Sequence, residues 1–562
     1  MELRSGRRLW RSPPHGPRPQ NTDLISSLPD EMLLLILTRL RCVRTAVQTG
    51  LLSRRWRGLW TGLADLTSRN LKPARIEAIL ATDFAASTTA ASTLDICLET
   101  RYTADLASSL LRAAARVSPR ELVFTSSANW SDWGDIKLHC FNCTTSIELQ
   151  SRVFRVDVAP PFAGEFTSLE RLSLAGYIIN LGVLLSRCPR LRVLSLNSRG
   201  KYDMSITLPP NSVFPTLDSL SLTGQIDGLG NLLNLCQCLR VLSVTYTNSQ
   251  ELTLPPAAEF RALEKLSLFG NIANPGTLLN RCPCLRLLSV TFYGMALASL
   301  KTALATIGEA TIGEAAPVGL TLSRLSISIP WRDSIDAACF ASLLHMAVSQ
   351  SPQELIIIDN FDGCDLNMRC QRRINADLPC FQHATSIEMN LQIVCFTSLS
   401  TTEEFLALER LTLLGCCSTI DVGTLVTRCP RLRVLEINLA RVNITVHSAL
   451  LQKLKVYMNN HMECHDIDIV TPMLKQLQMV IVGADMDTRV SISAPVVEKV
   501  KWQRWYTEFH HAFGSWRLRN MSMEVIENNG IDNGEHVLRL HLYALVRLLS
   551  YVLLKLPSDL RF

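Results

Sequence analysis

The chain has 562 residues, 47 % of them hydrophobic and 19 % charged, with a formal net charge of +6 and 91 leucines. This composition excludes a disordered or collagen-like chain, and the length suits several average domains or one long repeat array. The most apolar late stretch, 537–556, is cut by Arg539, His541, Arg547 and Lys555, so a membrane span of about 18 uncharged apolar residues is not expected. No apolar segment follows the amino-terminal arginines as it would in a secretory signal, so the expected location is the nucleus and/or the cytoplasm.

Residues 1–22 read as a disordered basic leader rich in Arg and Pro. Up to Arg57 there are 11 Arg and no Lys, against Glu2, Asp23, Asp30 and Glu31. The rest of the chain is close to neutral, so the broad basic field of a dedicated nucleic-acid binder is missing and no nucleic-acid partner is expected.

Residues 23–66 predict a small all-α module. Pro29 opens a first helix with Asp30 and Glu31 in its first turn, where acidic side chains suit the helix dipole. Met32 to Leu37 is apolar almost all round, as in a helix buried or docked on a partner. A second helix over about 44–49 stops at Gly50. Ser53 then predicts a third, with Trp56, Leu59 and Trp60 on one face. Linker helices are expected over 67–90.

From about residue 91 to 500 the leucine excess becomes periodic. FTSLERLSLAGYIINLGVLLSRCPRLRVLSL begins at Phe166, and similar segments begin at Phe214, Phe260 and Phe405. Each holds two L-x-x-L-x-L cores, and the cores recur at steps of 22–26 residues, within the 20–29-residue period of leucine-rich repeats. The last two leucines of a core lie two apart and share one face of a strand. Return segments such as 181–188 carry helical spacing and end in Cys-Pro, where proline stops a helix. No single repeat buries its own apolar face, so stacking is required. A longer period also shows: CFNCTTSIEL from Cys140 is echoed by CFQHATSIEM from Cys380. The expected fold class is therefore an α/β solenoid, a curved leucine-rich-repeat array behind the small all-α module. The tandem ATIGEATIGEA reads as an insertion loop near 300–317, and 501–562, with Trp502, Trp505, Phe509, Phe513 and Trp516, as a carboxy-terminal cap region.

Eighteen cysteines in an intracellular chain predict reduced thiols. Cys140/Cys143, Cys282/Cys284, Cys416/Cys417 and Cys464 beside His461 and His465 lack the spacing that closes a zinc site. No metal or cofactor is expected, and the repeat cysteines read as small buried packing residues.

LPDEMLLLIL (28–37), the arginine-and-small-residue second helix and LSRRWRGLW (52–60) closely resemble the F-box of plant F-box/leucine-rich-repeat proteins, and motif order and repeat type agree. FGSWRLRNMSMEV resembles the carboxy-terminal region of that family. Arg41-Cys42 departs from the family pattern in the loop after the first helix. The resemblance implies a non-catalytic substrate-recognition subunit of an SCF-type cullin–RING ubiquitin ligase. The F-box would dock a Skp-family adaptor and through it cullin, while the repeats hold an unknown protein substrate. Leu28, Pro29, Leu33, Ile36, Leu37, Val47, Leu51 and Trp56 are then the candidate adaptor contacts, internal core being the competing reading of each.

Two alternatives stay open. One is a non-degradative F-box scaffold. The other is a small-molecule-sensing F-box receptor, which would need inward-facing basic residues clustered among Arg171, Arg192, Lys265, Arg286, Arg410 and Arg433. An enzyme reading lacks a P-loop, a G-x-S-x-G or an H-E-x-x-H motif.

Overall fold

The computed structural model describes residues 28–40, 43–51, 53–56, 58–69, 71–82, 92–99, 102–126, 134–157, 164–179, 181–198, 205–207, 216–227, 229, 236, 238–246, 252–253, 260–270, 272–273, 279, 281–291, 322–330, 336–360, 374–399, 403–439, 443–459, 466–482, 489–506, 516–517, 521–529 and 536–544. Over these residues the chain is an α/β protein with a large parallel sheet and few helices. It divides into two compact units, Met1–Leu191 with Gly200–Tyr202, and Arg192–Arg199 with Asp203–Phe562. The leader expected at 1–22 and the insertion loop near 300–317 lie outside the described residues. No described helix is long and apolar enough to cross a membrane.

The first unit opens with helices α1 (Asp30–Leu40) and α2 (Val43–Thr49). The Pro29 carbonyl accepts the Met32 and Leu33 amides at 3.1 and 3.2 Å, so α1 starts where its sequence predicts. The third helix expected from Ser53 is instead two 3-10 turns, Arg54–Trp56 and Leu59–Gly62. Gly58 divides them with φ +83°, a left-handed conformation that ends a right-handed helix. Trp56 and Trp60 are buried all the same, so the apolar face outlasts the break.

Strand β1 (Asp65–Ser68) comes next, across the end of the module expected to be all-α to residue 66 and the start of the linker expected to be helical. It pairs in parallel with β2 (Thr93–Leu98), Leu66 opposite Leu94. The sheet thus begins before residue 91, and the expected linker contributes the end of this strand and helix α3 (Pro73–Thr82). Four residues are too few for a period-2 signal, and the lateral partner supplies what the local sequence lacks. Helix α4 (Ala104–Val117) leads from β2 to β3 (Glu121–Ser126), its first turn capped by Thr103, whose hydroxyl accepts the Leu106 amide at 3.3 Å. Such a cap contributes about 1 kcal/mol. The parallel ladder runs on through β5 (Ser146–Asp157) to β6 (Arg171–Ile179), with β4 (Asp135–Lys137) beside the end of β5. Helix α5 (Leu181–Ser186) is the return segment expected there.

In the second unit the long strands are β7 (Val193–Asn197), β9 (Ser219–Asp227), β10 (Val241–Tyr246), β12 (Lys265–Phe269), β14 (Leu287–Thr291), β15 (Arg324–Pro330), β16 (Glu354–Asn360), β18 (Ser386–Leu391), β20 (Arg410–Ser418), β21 (Val434–Leu439), β23 (Lys453–Asn459), β25 (Gln476–Val482) and β27 (Lys499–Tyr506). Each pairs in parallel with the next. The core leucines recognised by their period are register partners: Leu194, Leu220, Leu242, Leu266 and Leu288 form one row. That row ends at Leu411, Leu435, Leu454, Leu477 and Val500. All of these side chains are buried, and truncating such a leucine to alanine costs about 2–5 kcal/mol.

Return segments differ from expectation along this unit. Helices α6 (Ala337–Ser349) and α7 (Val422–Thr427) follow it, with Asp336 and Asp421 accepting the Cys339 and Thr424 amides at 2.6 and 2.9 Å. Short strands also appear in other connections: β8 (Ser205–Thr207), β11 (Leu252–Thr253), β13 (Ile272–Ala273), β17 (Ile374–Leu378) and β19 (Val394–Leu399), while Leu229 and Leu279, described residues of the returns after β9 and β12, are helical. After residue 440 β22 (Asn443–His447), β24 (Asp466–Val470), β26 (Arg489–Ser493) and β28 (Trp516–Arg517) form a ladder of their own. NITVH alternates exposed and buried residues, a strand period with β-branched residues that favour it. At the end, β27 pairs antiparallel with β30 (His536–Ala544), and β30 antiparallel with β29 (Met521–Asn529). Parallel pairing therefore stops inside the expected cap region. Trp502 is buried, while the side chains of Trp505, Phe509, Phe513 and Trp516 lie outside the described residues.

The 240-residue echo is structural as well as sequential. The Thr145 and Thr385 hydroxyls donate to the Arg120 and Gln353 carbonyls, both at 3.1 Å. Ser118 and Ser351 take φ 51° and 44°. The Phe166 amide donates to Arg187 at 2.9 Å, and that of Phe405 to Arg428 at 2.8 Å. Cys188, Cys236, Cys282 and Cys429 are buried as expected, and burial pushes each thiol up to about 12. One cysteine departs from the expectation of reduced thiols: Cys395, in β19, is disulfide-bonded.

Candidate docking face

Helix α1 carries two apolar faces. Leu33 and Leu37, four residues apart, are 0 % and 1 % exposed and pack toward α2 and the second 3-10 turn. Half-buried Leu34 lies over Gly62. Met32, Leu35, Ile36 and Leu40 lie beside this buried pair and are exposed, Leu35 at 53 %. Positions i, i+3, i+4 and i+8 form one stripe along the helix. Leu51, at the end of the next turn, is 86 % exposed.

The candidate residues separate by burial. Leu33, Leu37 and Trp56 are internal core, so their part in any contact is to hold α1 in place. Leu28 and Val47 are half-buried, while Pro29, Ile36 and Leu51 are exposed. Met32, Leu35 and Leu40 belong to the exposed stripe although they are not among the candidate contacts. Their helical spacing from Ile36 was the signal available in the sequence.

A charged contact and an apolar core support the face. Arg55, in the first 3-10 turn, pairs with Asp30 in the first turn of α1. Ala46 of α2, Trp60 and Leu63 complete the buried side. A partner closing over the stripe removes side chains from water that are about half exposed, on the order of 1 kcal/mol each.

Arg171, Arg192, Lys265, Arg286, Arg410 and Arg433 are all exposed, distributed one to a strand or to the residue just before it. Among the described residues no group of three His, Cys, Asp or Glu side chains is placed to hold a metal ion.

No protein-family model matches the chain, and no curated protein matches it.

Proposed function

We propose that the chain is the substrate-recognition subunit of an SCF-type cullin–RING ubiquitin ligase acting in the nucleus and/or the cytoplasm. The observation that carries this reading is the exposed stripe of Met32, Leu35, Ile36 and Leu40 on a helix anchored beside it by buried Leu33 and Leu37. It lies in the segment that resembles an F-box and precedes the leucine-periodic ladder. In this reading the F-box, residues 23–66, docks a Skp-family adaptor, which bridges to cullin. The parallel ladder is a leucine-rich-repeat solenoid that holds a target protein. Its contribution is proximity: target lysines gain a high effective concentration near the ubiquitin thioester, and this chain performs no bond chemistry.

The test uses exposed residues, so that folding is spared. Affinity purification of the full chain is expected to recover adaptor and cullin together. Leu35→Glu with Ile36→Glu is expected to lose both while the melting temperature stays unchanged. Recovery of cullin by that double variant would sink the docking assignment. Recovery of adaptor without cullin from the wild-type chain would favour the non-degradative scaffold.

A further inference from the structure

The solvent-facing side of the last parallel strands carries a patterned charge. Leu454, Val456 and Met458 of β23 are buried, so Lys453, Lys455 and Tyr457 face outward. By the same alternation Gln476, Gln478 and Val480 face outward on β25, and Lys499, Lys501 and Gln503 on β27. Register aligns them in rows: Lys453–Gln476–Lys499, then Lys455–Gln478–Lys501, then Tyr457–Val480–Gln503. Four lysines thus frame two glutamines. Lys455 is bound to Glu436 of β21 at 2.8 Å.

The third row opens into a groove of about 390 Å³ lined by Asn390, Gln392, Leu414, Asn438, Tyr457 and Val480 among others. Its lining is uncharged, with amide, aliphatic and aromatic groups. Asn438 is tied down by donating to the Gly415 carbonyl at 3.0 Å.

We propose that this face binds an acidic protein segment in extended conformation, with carboxylates at alternate positions and an apolar side chain two residues further on. The match is one of spacing and charge. Alternate residues of an extended chain lie about 7 Å apart on one side, the separation of the two lysine rows and of the second row from the groove. Two acidic side chains meet the lysine rows and the next same-side residue enters beside Tyr457 and Val480. A nucleic acid fits less well: the lysines occupy only two rows and give way at the third to an uncharged groove, which interrupts a continuous phosphate track. The inference rests on the proposed function only in taking this segment to be part of a ligase target. Peptide binding is measured without adaptor, so failure of adaptor docking leaves it standing.

The experiment is fluorescence polarisation on the purified full chain with fluorescein-labelled Gly-Ser-Glu-Ser-Glu-Ser-Leu-Ser-Gly. Expected are saturable binding that weakens with salt, a loss of at least about ten-fold (1.4 kcal/mol) in Lys453→Gln with Lys501→Gln, and retention in the paired Lys→Arg variant. Replacing the peptide leucine by serine is expected to weaken binding to the wild-type chain. The lysines are partly exposed, and unchanged thermal melting checks that the variants fold. Equal binding of the peptide with both Glu replaced by Lys, or no effect of Lys453→Gln with Lys501→Gln, overturns the proposal. So does displacement of the acidic peptide by oligouridylate at a lower concentration than by unlabelled peptide, which would assign the face to nucleic acid.

Discussion

Asp30 and Arg55 meet at 2.7 Å, joining the first turn of α1 to the turn that contains Trp56. The two side chains are 58 % and 37 % exposed, so water and salt screen the pair and its contribution is under about 1 kcal/mol. Two turns further along the same helix Leu37 is buried. In urea denaturation Arg55→Ala is expected to cost less than about 1 kcal/mol, and less still at high salt, whereas Leu37→Ala costs about 2–5 kcal/mol. Equal costs for the two would mean that the charge rather than the core holds α1.

Gly58 and Gly415 both take positive φ, at 83° and 99°, but in different surroundings. A Cβ on Gly58 meets nothing within 4 Å, whereas one on Gly415 runs into the backbone of Leu391 on the neighbouring strand. Gly58→Ala is therefore expected to cost about 1–2 kcal/mol, the left-handed penalty alone. Gly415→Ala is expected to cost more, because β18 and β20 must move apart. Thermal melts of the two variants compare them directly.

Asp359, at the end of the inward side of β16 that holds buried Leu355 and Ile357, is pushed up from 3.8 to about 6 by burial, partly opposed by backbone amides including that of Gln392. The folded chain therefore holds this proton more tightly than the unfolded chain. The associated stability is fully present below pH 3.8 and is lost as pH rises through about 6. Melting temperature measured across that window is expected to carry a falling component that Asp359→Asn removes. A variant with the wild-type slope would place the proton elsewhere.

Buried thiols should resist alkylation. Cys188, Cys236, Cys282 and Cys429 are buried, and burial keeps them protonated; the thiolate is the reactive form. Cys143, Cys238 and Cys284 are exposed. Iodoacetamide treatment of the native chain at pH 8 followed by peptide mass spectrometry is expected to mark the exposed set and spare the buried one, and urea should abolish the difference.

What could be read from the chain is what depends on near neighbours. Leu194, Leu220 and Leu242 declared their shared row through spacing alone, because each repeat repeats its local pattern. Pro29 and Gly50 marked helix ends for the same reason. Strand β1 escaped notice because its identity depends on Leu94, far along the chain. The strands that replace helices after residue 440 were masked by an expectation carried over from earlier repeats, although NITVH alternates. The lysine frame was invisible for a different reason: Lys453 and Lys499 are separated by two repeats, and only lateral register brings them to one row.

The antiparallel pairing of β30 onto β27 has a consequence for solubility. A parallel ladder ends in a strand whose outer N–H and C=O groups are unpaired, a template for any extended chain that drifts past. Here β30 covers that side of β27. A chain truncated after residue 506 would keep its leucine rows intact and still present β27 as an open, adhesive edge. Such a truncation would self-associate through backbone pairing before it lost any of its core.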